Sequence, residues 1–300
     1  MDAIYRAIAS LVMGLMSAIG IQPQPATWQA QLMPDGRTLA LTISDHPHST
    51  HSAMVPVDQF EGLKPLLSAS GPARFRLQRD AGVFEFDGVL RGGAGGGTME
   101  FVPSDTFAAG LAKRGFEKAS RVEQYKMAWH DTGFAFVDEL AAQKYQRPTL
   151  EQLVSAGDHG VDRAYIREMA GLGYKLGTVD ALIRQHDHGS GPEFIREMAA
   201  AGLKNLSADD LVRARDHGVG SEYIRDMRAL GYMLTMDELV AARDHGVGPE
   251  YVNQMAAAGY WRPSLTQLIA MRDHGITSQY AQQRAPAPID RLIALHDRGQ

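Results

Sequence analysis

The sequence predicts an α+β protein of two parts, a small antiparallel β domain followed by an α-solenoid of helix-turn-helix repeats. Large apolar and polar residues alternate along five segments between Thr27 and Val102, as they do in half-buried strands. From about Val122 this period is lost, and the tripeptide Asp-His-Gly recurs every 28 or 29 residues. We therefore divide the chain into residues 1–20, a signal peptide or membrane anchor, residues 21–118, the β domain, and residues 119–300, the solenoid.

The N-terminal residues predict export. Arg6 is followed by an uncharged run from Ala7 to Gly20, which is too short to cross about 30 Å of hydrocarbon and fits the apolar part of a secretory signal peptide. Small residues, Ala18 and Gly20, precede a cut site before Ile21. A retained helix that associates with a membrane through residues 4–20 is the alternative. Both alternatives place the protein in the periplasm or elsewhere in the cell envelope.

Charge and cysteine content exclude several classes of protein. The formal net charge is −5; residues 1–120 carry 10 basic and 11 acidic side chains, which leaves 20 and 24 of the totals of 30 and 35 for the rest of the chain. Neither part has the basic excess of a nucleic-acid-binding surface, so no nucleic acid is expected as a partner. The chain has no cysteine, which excludes disulfides, thiol nucleophiles and cysteine-ligated zinc.

Turn residues separate the predicted strands of the β domain. Pro34-Asp35-Gly36 and Asp80-Ala81-Gly82 are turn sequences, and glycines surround Ala94 in the stretch RGGAGGG. That stretch is not a phosphate-binding loop because no Lys-Ser or Lys-Thr follows it, so a loop between strands is expected. The stretch VPVDQFEGLKPLL predicts a short helix with Asp58 as its N-cap, and a second helix is expected to begin at Pro103-Ser104.

Each repeat contains two short predicted helices. The second begins after Asp-His-Gly, where Pro192 and Pro249 suit the first helical turn, and its apolar residues Tyr251, Val252 and Met255 form one face. Helices of about ten residues cannot bury such faces alone, so the repeats must stack. The first helix begins with a capping box, in which two side chains satisfy free backbone N–H groups. The boxes are Thr149 with Gln152, Ser207 with Asp210, Thr235 with Glu238, and Ser264 with Gln267.

The Asp-His-Gly tripeptides have two interpretations, a row of metal-binding or acid–base residues or a row of helix ends. Packed helices lie about 8–10 Å apart, whereas zinc needs its ligands at about 2 Å, so the histidines cannot share a metal. A helix end explains all three residues: the glycine is left-handed, the histidine donates to free carbonyls, and the aspartate accepts from the next helix or a neighbouring arginine. We favour this structural interpretation for Asp158, His159, Gly160, Asp187, His188, Gly189, Asp216, His217, Gly218, Asp244, His245, Gly246, Asp273, His274 and Gly275.

A second recurring feature is a ladder of charged residues. Three arginines, each followed by an acid, occupy equivalent positions on the second helix of successive repeats. A solvated helix face is one interpretation, and a docking surface for a protein or peptide partner is the other. The residues are Arg167, Glu168, Arg196, Glu197, Arg225 and Asp226.

Two further groups are candidates for a site in the β domain. His46, His48 and His51 lie within six residues, a spacing that allows a metal site but is also typical of a solvated loop. Four alternating aromatic residues allow a ligand site but are also typical of a core: Phe75, Phe84, Phe86 and Phe101. The chain has no HExxH or GxSxG motif. The sequence therefore predicts no catalytic residue, no bound metal and no cofactor.

The repeat motif and the β segment FRLQRDAGVFEFDGVLRGGAGGGTMEF together resemble a group of bacterial proteins. These carry a similar β domain with repeats of the form L-x-x-R-x-H-G-V-x-P-E-Y-I-x-x-M-x-x-x-G-Y, and the resemblance covers about residues 27–300. Some form the extracytoplasmic C-terminal end of membrane metallopeptidases of the antirepressor/sensor (BlaR-like) type that respond to β-lactams. The resemblance implies an exported sensor-like or adaptor-like module. It carries over no catalytic residue, because this sequence lacks the HExxH motif and the transmembrane helices of the peptidase.

Three functions follow as hypotheses. The first is a non-enzymatic interaction or scaffold protein of the bacterial cell envelope, which binds a protein or peptide partner on the repeat surface. The second is a sensor that binds a cell-wall fragment or a β-lactam-like molecule in the β domain. The third, a metal-dependent hydrolase that uses His46, His48 and His51, is the least favoured.

Overall fold

The structure is a computed structural model that describes residues 25–46 and 49–300, except for the side chains of residues 46 and 49. The chain forms two compact units, one up to Phe134 and one from Ala135 onward. The predicted signal peptide or membrane anchor in residues 1–20 lies outside the described residues. Within the part of the chain that is described, no helix is long and apolar enough to cross a membrane.

A seven-stranded antiparallel sheet forms the first part of the chain, as the sequence predicts. Its strands are β1 (Ala26–Leu32), β2 (Thr38–His46), β3 (Ser49–Pro56), β4 (Phe60–Glu61), β5 (Ser70–Arg79), β6 (Gly82–Arg91) and β7 (Ala94–Pro103). Their order in the sheet is β3-β2-β1-β7-β6-β5-β4. Two runs of hairpins therefore meet where β1 pairs with β7, and Thr27 faces Thr98 across that junction.

Alternating side chains build an aromatic core in the sheet. Phe84 and Phe86 on β6 are buried, and Glu85 between them is exposed. The ring of Trp28 meets the ring of Phe75 edge-on with centroids 5.1 Å apart, and Phe75 stacks on Phe86 at 4.7 Å. Such pairs add to the free energy that burial supplies. From the sequence, four aromatic residues could belong either to the core or to a ligand site. All four are buried: Phe75, Phe84, Phe86 and Phe101.

The glycines of β7 allow β6 and β7 to lie very close together. A Cβ on Gly97 would clash with the carbonyl oxygen of Asp87, so only glycine fits there. The stretch RGGAGGG, predicted as a loop, is therefore mostly strand. Only Gly92 and Gly93 form the turn, and residues 94–97 already pair with β6.

Two other local predictions in the β domain are wrong. Part of the predicted histidine loop is a hairpin, in which His51 on β3 pairs with Ile43 on β2. The segment predicted as a helix capped by Asp58 forms two 3₁₀ turns, Val57–Gln59 and Lys64–Leu66, with β4 between them. Gly62, whose φ is +79°, interrupts any continuous helix there.

Two helices follow the sheet within the first compact unit, α1 (Asp105–Lys113) and α2 (Arg121–Trp129). Ser104 caps α1 by accepting from the N–H of Phe107, which confirms the helix start predicted at Pro103-Ser104. Helix α2 packs against β6 and β7, where the ring of Tyr125 contacts the rings of Phe84 and Phe101.

Short helices form the rest of the chain. In each repeat, a helix A leads to the tripeptide or its variant, and a helix B follows. The A helices are α4 (Leu150–Asp158), α6 (Val179–Asp187), α8 (Ala208–Asp216), α10 (Met236–Asp244), α12 (Leu265–Asp273) and α14 (Ile289–Asp297). The B helices are α3 (Phe134–Ala142), α5 (Arg163–Gly171), α7 (Pro192–Ala200), α9 (Ser221–Ala229), α11 (Pro249–Ala257) and α13 (Ser278–Arg284).

Stacking of successive repeats buries the apolar face of each helix. A helices pack against neighbouring A helices, and B helices against neighbouring B helices. On α11 the buried residues keep the predicted spacing and are Tyr251, Val252 and Met255. Helices of this length are marginal in isolation, so packing between repeats supplies their stability.

Side-chain caps begin the A helices α4, α6, α8, α10 and α12. Complete capping boxes occur at Thr149, Thr235 and Ser264, as the sequence predicts. The fourth predicted box is incomplete. The Ser207 hydroxyl accepts from the N–H of Asp210 and donates to the Asp210 carboxylate, which does not bond the backbone N–H of Ser207. An aspartate is one methylene shorter than the Glu or Gln that closes a capping box.

The first prediction concerns the glycine that follows α10. Gly246 has a φ of +68°, and a Cβ there would lie 3.2 Å from Nε of Arg272 in the next repeat. Gly246→Ala should therefore lower the free energy of unfolding by about 1 kcal/mol or slightly more. Thermal unfolding followed by circular dichroism measures the effect as a lower or broader transition.

Two matched glycines serve as controls for Gly246→Ala. Gly171 lies in the last turn of α5 with nothing within 4 Å of a new Cβ and no left-handed φ, so Gly171→Ala should leave stability unchanged or raise it. Gly299 is left-handed but ends the last helix and touches no neighbour, so Gly299→Ala should cost less than Gly246→Ala. Equal losses at all three positions would contradict the proposed role of the left-handed helix end.

Candidate functional site

The five Asp-His-Gly tripeptides end α4, α6, α8, α10 and α12 in the same way. The histidine is the C-cap residue, and the φ of the glycine after it lies between +63° and +75°. After α4, the N–H of Gly160 donates to the carbonyl of Gly157, and the N–H of Val161 donates to that of Ala156. This is a Schellman motif, in which the left-handed residue is glycine because a Cβ would be strained there.

The histidine and aspartate side chains bond each other across repeats. The sequence predicts instead that they bond backbone groups at the helix ends. Nδ1 of each histidine lies 2.6–3.0 Å from the carboxylate of the aspartate in the next repeat. Because a carboxylate only accepts, Nδ1 carries the hydrogen. We call this row the His–Asp ladder. Its pairs are His159–Asp187, His188–Asp216, His217–Asp244, His245–Asp273 and His274–Asp297.

The residue before each aspartate of the ladder reaches back to the preceding repeat. Nε of Arg215 donates to the carbonyl of Gly189 at 2.9 Å, and its guanidinium lies 4.2 Å from the ring centroid of Phe194. An arginine in this position thus combines a hydrogen bond with a cation–π contact. Equivalent ring contacts join Arg243 to Tyr223, Arg272 to Tyr251, His186 to Tyr165, and His296 to Tyr280.

The aromatic residue of a B helix also reaches forward. The hydroxyl of Tyr223 donates to the carbonyl of Val247 at 2.7 Å, and that of Tyr251 donates to the carbonyl of Ile276 at 3.0 Å. Burial raises the pKa of both tyrosines to about 12, so the hydroxyls stay protonated and donate. Phe194 has no hydroxyl for this bond, so ring packing, and not the hydrogen bond, is common to these repeats.

Two degenerate copies of the tripeptide, HDTG at residues 130–133 and HDRG at residues 296–299, show how the motif varies. His130 is the C-cap of α2, and Asp131 after it has a φ of +54°. Asp131 therefore takes the position of the glycine in the tripeptide, and not the position of the aspartate. Aspartate is among the residues that adopt this conformation more readily than most. At the other end, Asp297 accepts from His274, and Arg298 stands at the histidine position.

The recurring residues therefore join each repeat to the next. Among the described residues, no group of three or more His, Asp or Glu side chains is placed to hold a metal ion. Of the predicted histidine cluster, His48 lies outside the described residues, and the side chain of His46 does as well. Only His51 can be placed.

The predicted docking ladder is partly used inside the array. Arg167 donates to Glu139 of the preceding B helix at 2.5 Å, and Arg196 donates to Glu168 at 2.7 Å. Both are ion pairs across repeats, with the arginine side chains more than half exposed. The other three members are exposed and form no ion pair among the described residues: Glu197, Arg225 and Asp226.

A groove of about 550 Å³ lies between α5 and α7, on the B-helix side of the array. Its walls include Tyr165, His186, Pro192 and Arg196. The Tyr165 hydroxyl is buried and has no hydrogen-bond partner among the described residues. Burial raises its pKa, so it stays a donor. The lining also holds three carboxylates, those of Asp162, Glu168 and Glu193, and Arg196 pairs with Glu168. The groove thus combines apolar surface with an unused donor and charged groups of both signs, which suits a peptide segment that carries a hydrogen-bond acceptor.

A second cleft, of about 690 Å³, lies in the first unit and is lined from β2, β3, β7 and α2. Oδ1 of Asp45 and the hydroxyl of Tyr125 are enclosed there and interact with each other, and neither has another hydrogen-bond partner among the described residues. Burial first, and then the neighbouring Asp45 carboxylate, raise the pKa of Tyr125 above its ordinary value. Nε2 of His51 lies 3.8 Å from Oδ2 of Asp45, and the rings of His51 and Tyr125 are 6.0 Å apart.

Sequence reasoning missed this cleft, although it singled out His51. Asp45 and Tyr125 are far apart in the sequence, and neither belongs to a motif. Only the packing of α2 against the sheet brings them together. No spacing rule on the sequence could have paired them.

Known proteins offer no match. No family model, no curated protein and no solved structure matches the chain. The function is therefore argued from the His–Asp ladder, the groove and the cleft.

The second prediction tests the direction of the His–Asp ladder. In a double-mutant cycle, His245→Ala and Asp273→Ala should show a coupling of about 0.2–1 kcal/mol in the free energy of unfolding, because the pair is half-exposed. High salt should weaken the coupling. The control cycle joins His245→Ala to Asp244→Ala, its sequence neighbour, which bonds His217 instead. Equal coupling in the two cycles would rule out the cross-repeat pair as a contributor to stability.

Proposed function

We propose that the repeat array is a non-enzymatic interaction module of the bacterial cell envelope, which binds a protein or peptide partner on its B-helix face. The observation that carries the proposal is the groove between α5 and α7, which is lined by Arg196 and by Tyr165, whose hydroxyl has no hydrogen-bond partner among the described residues. Arrays of stacked repeats present extended surfaces, which suit an elongated partner. The apolar run Ala7–Gly20 and the resemblance of the repeats to exported sensor-like proteins support the location.

The non-enzymatic part of the proposal rests on how the reactive side chains are used. The histidines and aspartates that recur in the array bond each other between repeats, and the hydroxyls of Tyr223 and Tyr251 bond carbonyl groups. A nucleophile or general base needs a free partner site for substrate beside it. These residues instead hold helix ends together.

The third prediction concerns the partner face. Arg196→Ala combined with Arg225→Ala removes two exposed cations from the B-helix side. When the partner is captured by cross-linking in the native cells, the double variant should capture less of it, by about tenfold or more. A loss of roughly 1.5 kcal/mol in binding free energy has this effect. The matched control is Arg184→Ala combined with Arg213→Ala, which removes two cations that pair across repeats on the A helices. Cross-linked proteins that are lost from neither variant, or equally from both, would contradict the proposed face.

We propose as a second candidate function that the first unit senses a small molecule in the cleft at Asp45. The observation that favours it is the carboxylate of Asp45, which is enclosed together with the hydroxyl of Tyr125 among aromatic rings. A carboxylate bordered by aromatic rings favours an organic cation, since the carboxylate neutralises it and the rings attract it through their faces. An amine with an apolar body is therefore the ligand class. Arg121 and Lys126 also line the cleft, but the enclosed carboxylate is that of Asp45, so the carboxylate common to β-lactams fits less well than an amine.

The fourth prediction is a charge-selective thermal shift. Phenethylamine should raise the melting temperature of the full chain in a concentration-dependent way, whereas phenethyl alcohol and hydrocinnamate, of similar size but neutral and anionic, should not. The full chain is needed because α2 lines the cleft. Asp45→Asn should abolish the shift. Glu100→Gln, which removes an exposed carboxylate at the same cleft, should preserve it. A shift of equal size with all three compounds, or one that survives Asp45→Asn, would exclude the amine site.

A further inference from the structure

Five loops, each joining a B helix to the next A helix, form one edge of the array. They are residues 143–149, 172–178, 201–207, 230–235 and 258–264. Hydrogen bonds hold successive loops side by side. The N–H of Gln146 donates to the carbonyl of Gly177 at 2.7 Å, and the hydroxyl of Tyr174 donates to the carbonyl of Leu206 at 2.8 Å. Nη1 of Arg228, at the end of α9, donates to the carbonyl of Ala201 at 2.6 Å. The hydroxyl of Tyr232 donates to the carbonyl of Pro263 at 2.8 Å. We call this surface the loop edge.

One position of the loop edge changes its chemistry from repeat to repeat. The fourth residue of successive loops is Gln146, Lys175, Lys204, Met233 and Trp261. Met233 is 75% exposed and Trp261 is 80% exposed, more than any other large apolar side chain among the described residues. They lie in adjacent loops. Two protruding apolar side chains therefore follow two lysines in this row.

The loops of this edge are basic. They contain no Asp or Glu, and their five cations are all exposed: Lys144, Arg147, Lys175, Lys204 and Arg262. The nearest acids in the sequence lie in the first turns of the A helices that follow the loops. Three of those acids accept from a side chain of the preceding repeat, Asp180 from Gln152, Asp209 from Arg184, and Asp237 from Arg213. The tips of the loop edge therefore present positive charge beside the apolar pair.

This combination fits the surface of a bilayer better than a peptide. Met233 and Trp261 protrude from loops and are three-quarters or more exposed, whereas a peptide anchor is buried in a pocket. Tryptophan is favoured at the boundary between headgroups and acyl chains, and lysine stems extend past apolar neighbours to place the ammonium among anionic headgroups. We propose that the loop edge docks the array on a bilayer that contains anionic phospholipid, with Trp261 and Met233 at the interface.

Vesicle co-sedimentation tests this docking. The full chain should bind vesicles of equal parts phosphatidylcholine and phosphatidylglycerol more tightly than vesicles of phosphatidylcholine alone. Lys175→Gln with Lys204→Gln should weaken binding to the mixed vesicles about fivefold for each lysine. Trp261→Ser with Met233→Ser should weaken it by about tenfold. Residues 7–20 are the same in every variant, so binding through that apolar run cancels in the comparison.

Matched variants outside the loop edge serve as controls. Met54→Ser with Val122→Ser removes two apolar side chains that are 63% and 66% exposed in the first unit. Lys113→Gln with Lys118→Gln removes two exposed lysines there. Neither control should change vesicle binding.

Tryptophan fluorescence supplies an independent readout. Trp28 is buried and Trp129 is half-buried, so the exposed Trp261 should account for a blue shift on mixed vesicles, and Trp261→Ser should remove it.

Three results would overturn the proposal. One is the absence of binding by the unaltered chain, and another is equal loss in loop-edge and control variants. The third is that the loop-edge variants keep vesicle binding but lose a cross-linked protein, in which case the edge is a protein contact.

Discussion

Nine-residue helices are too short to be stable in isolation, and this constraint accounts for most of the contacts that recur between Ala135 and the C-terminus. Each tripeptide ends its helix with a left-handed glycine, so the chain reverses within a few residues. The aspartate is then held by the histidine of the preceding repeat, and the histidine holds the aspartate of the following one. A middle repeat such as the one at His245 is therefore linked in both directions, and its stability depends on both neighbours.

The sequence predicts those features that depend on local rules. Glycine after the last turn, serine or threonine before the first, and alternation in strands each follow from the conformation of one short segment. The partners within the His–Asp ladder do not follow from local rules. His245 contacts Asp273 only when the A helices of two repeats, α10 and α12, stack in one register. The strand that contains His51 was missed for a similar reason. It pairs through its backbone groups, and its polar sequence shows no clear alternation of apolar and polar residues. The cleft at Asp45 and Tyr125 depends on tertiary packing alone.

One repeat shows what the array tolerates. The residue after the glycine is a buried valine or isoleucine in four of the tripeptides, but it is Ser190 after α6. The Ser190 hydroxyl donates to Oε1 of Gln185, which is buried as well, and the Gln185 amide donates to the carbonyl of Ala208. A polar group in this core is accepted when its hydrogen bonds are satisfied nearby. The stacking of repeats therefore constrains shape and hydrogen bonding more than residue type.

The division between recurring and variable residues indicates where function lies. Side chains that recur at every step are occupied in joining repeats, and a histidine whose Nδ1 is bonded to a neighbour's carboxylate is a poor candidate for a partner site. The features that distinguish one place in the array from another are those that do not recur. His186 replaces arginine beside the groove at Tyr165, and the fourth loop residue changes from Gln146 to Trp261 along the edge. A repeat protein gains specificity when equivalent positions of successive repeats carry different exposed side chains. The tripeptide that recurs therefore indicates the architecture, and the positions that depart from the repeat indicate the surfaces that bind.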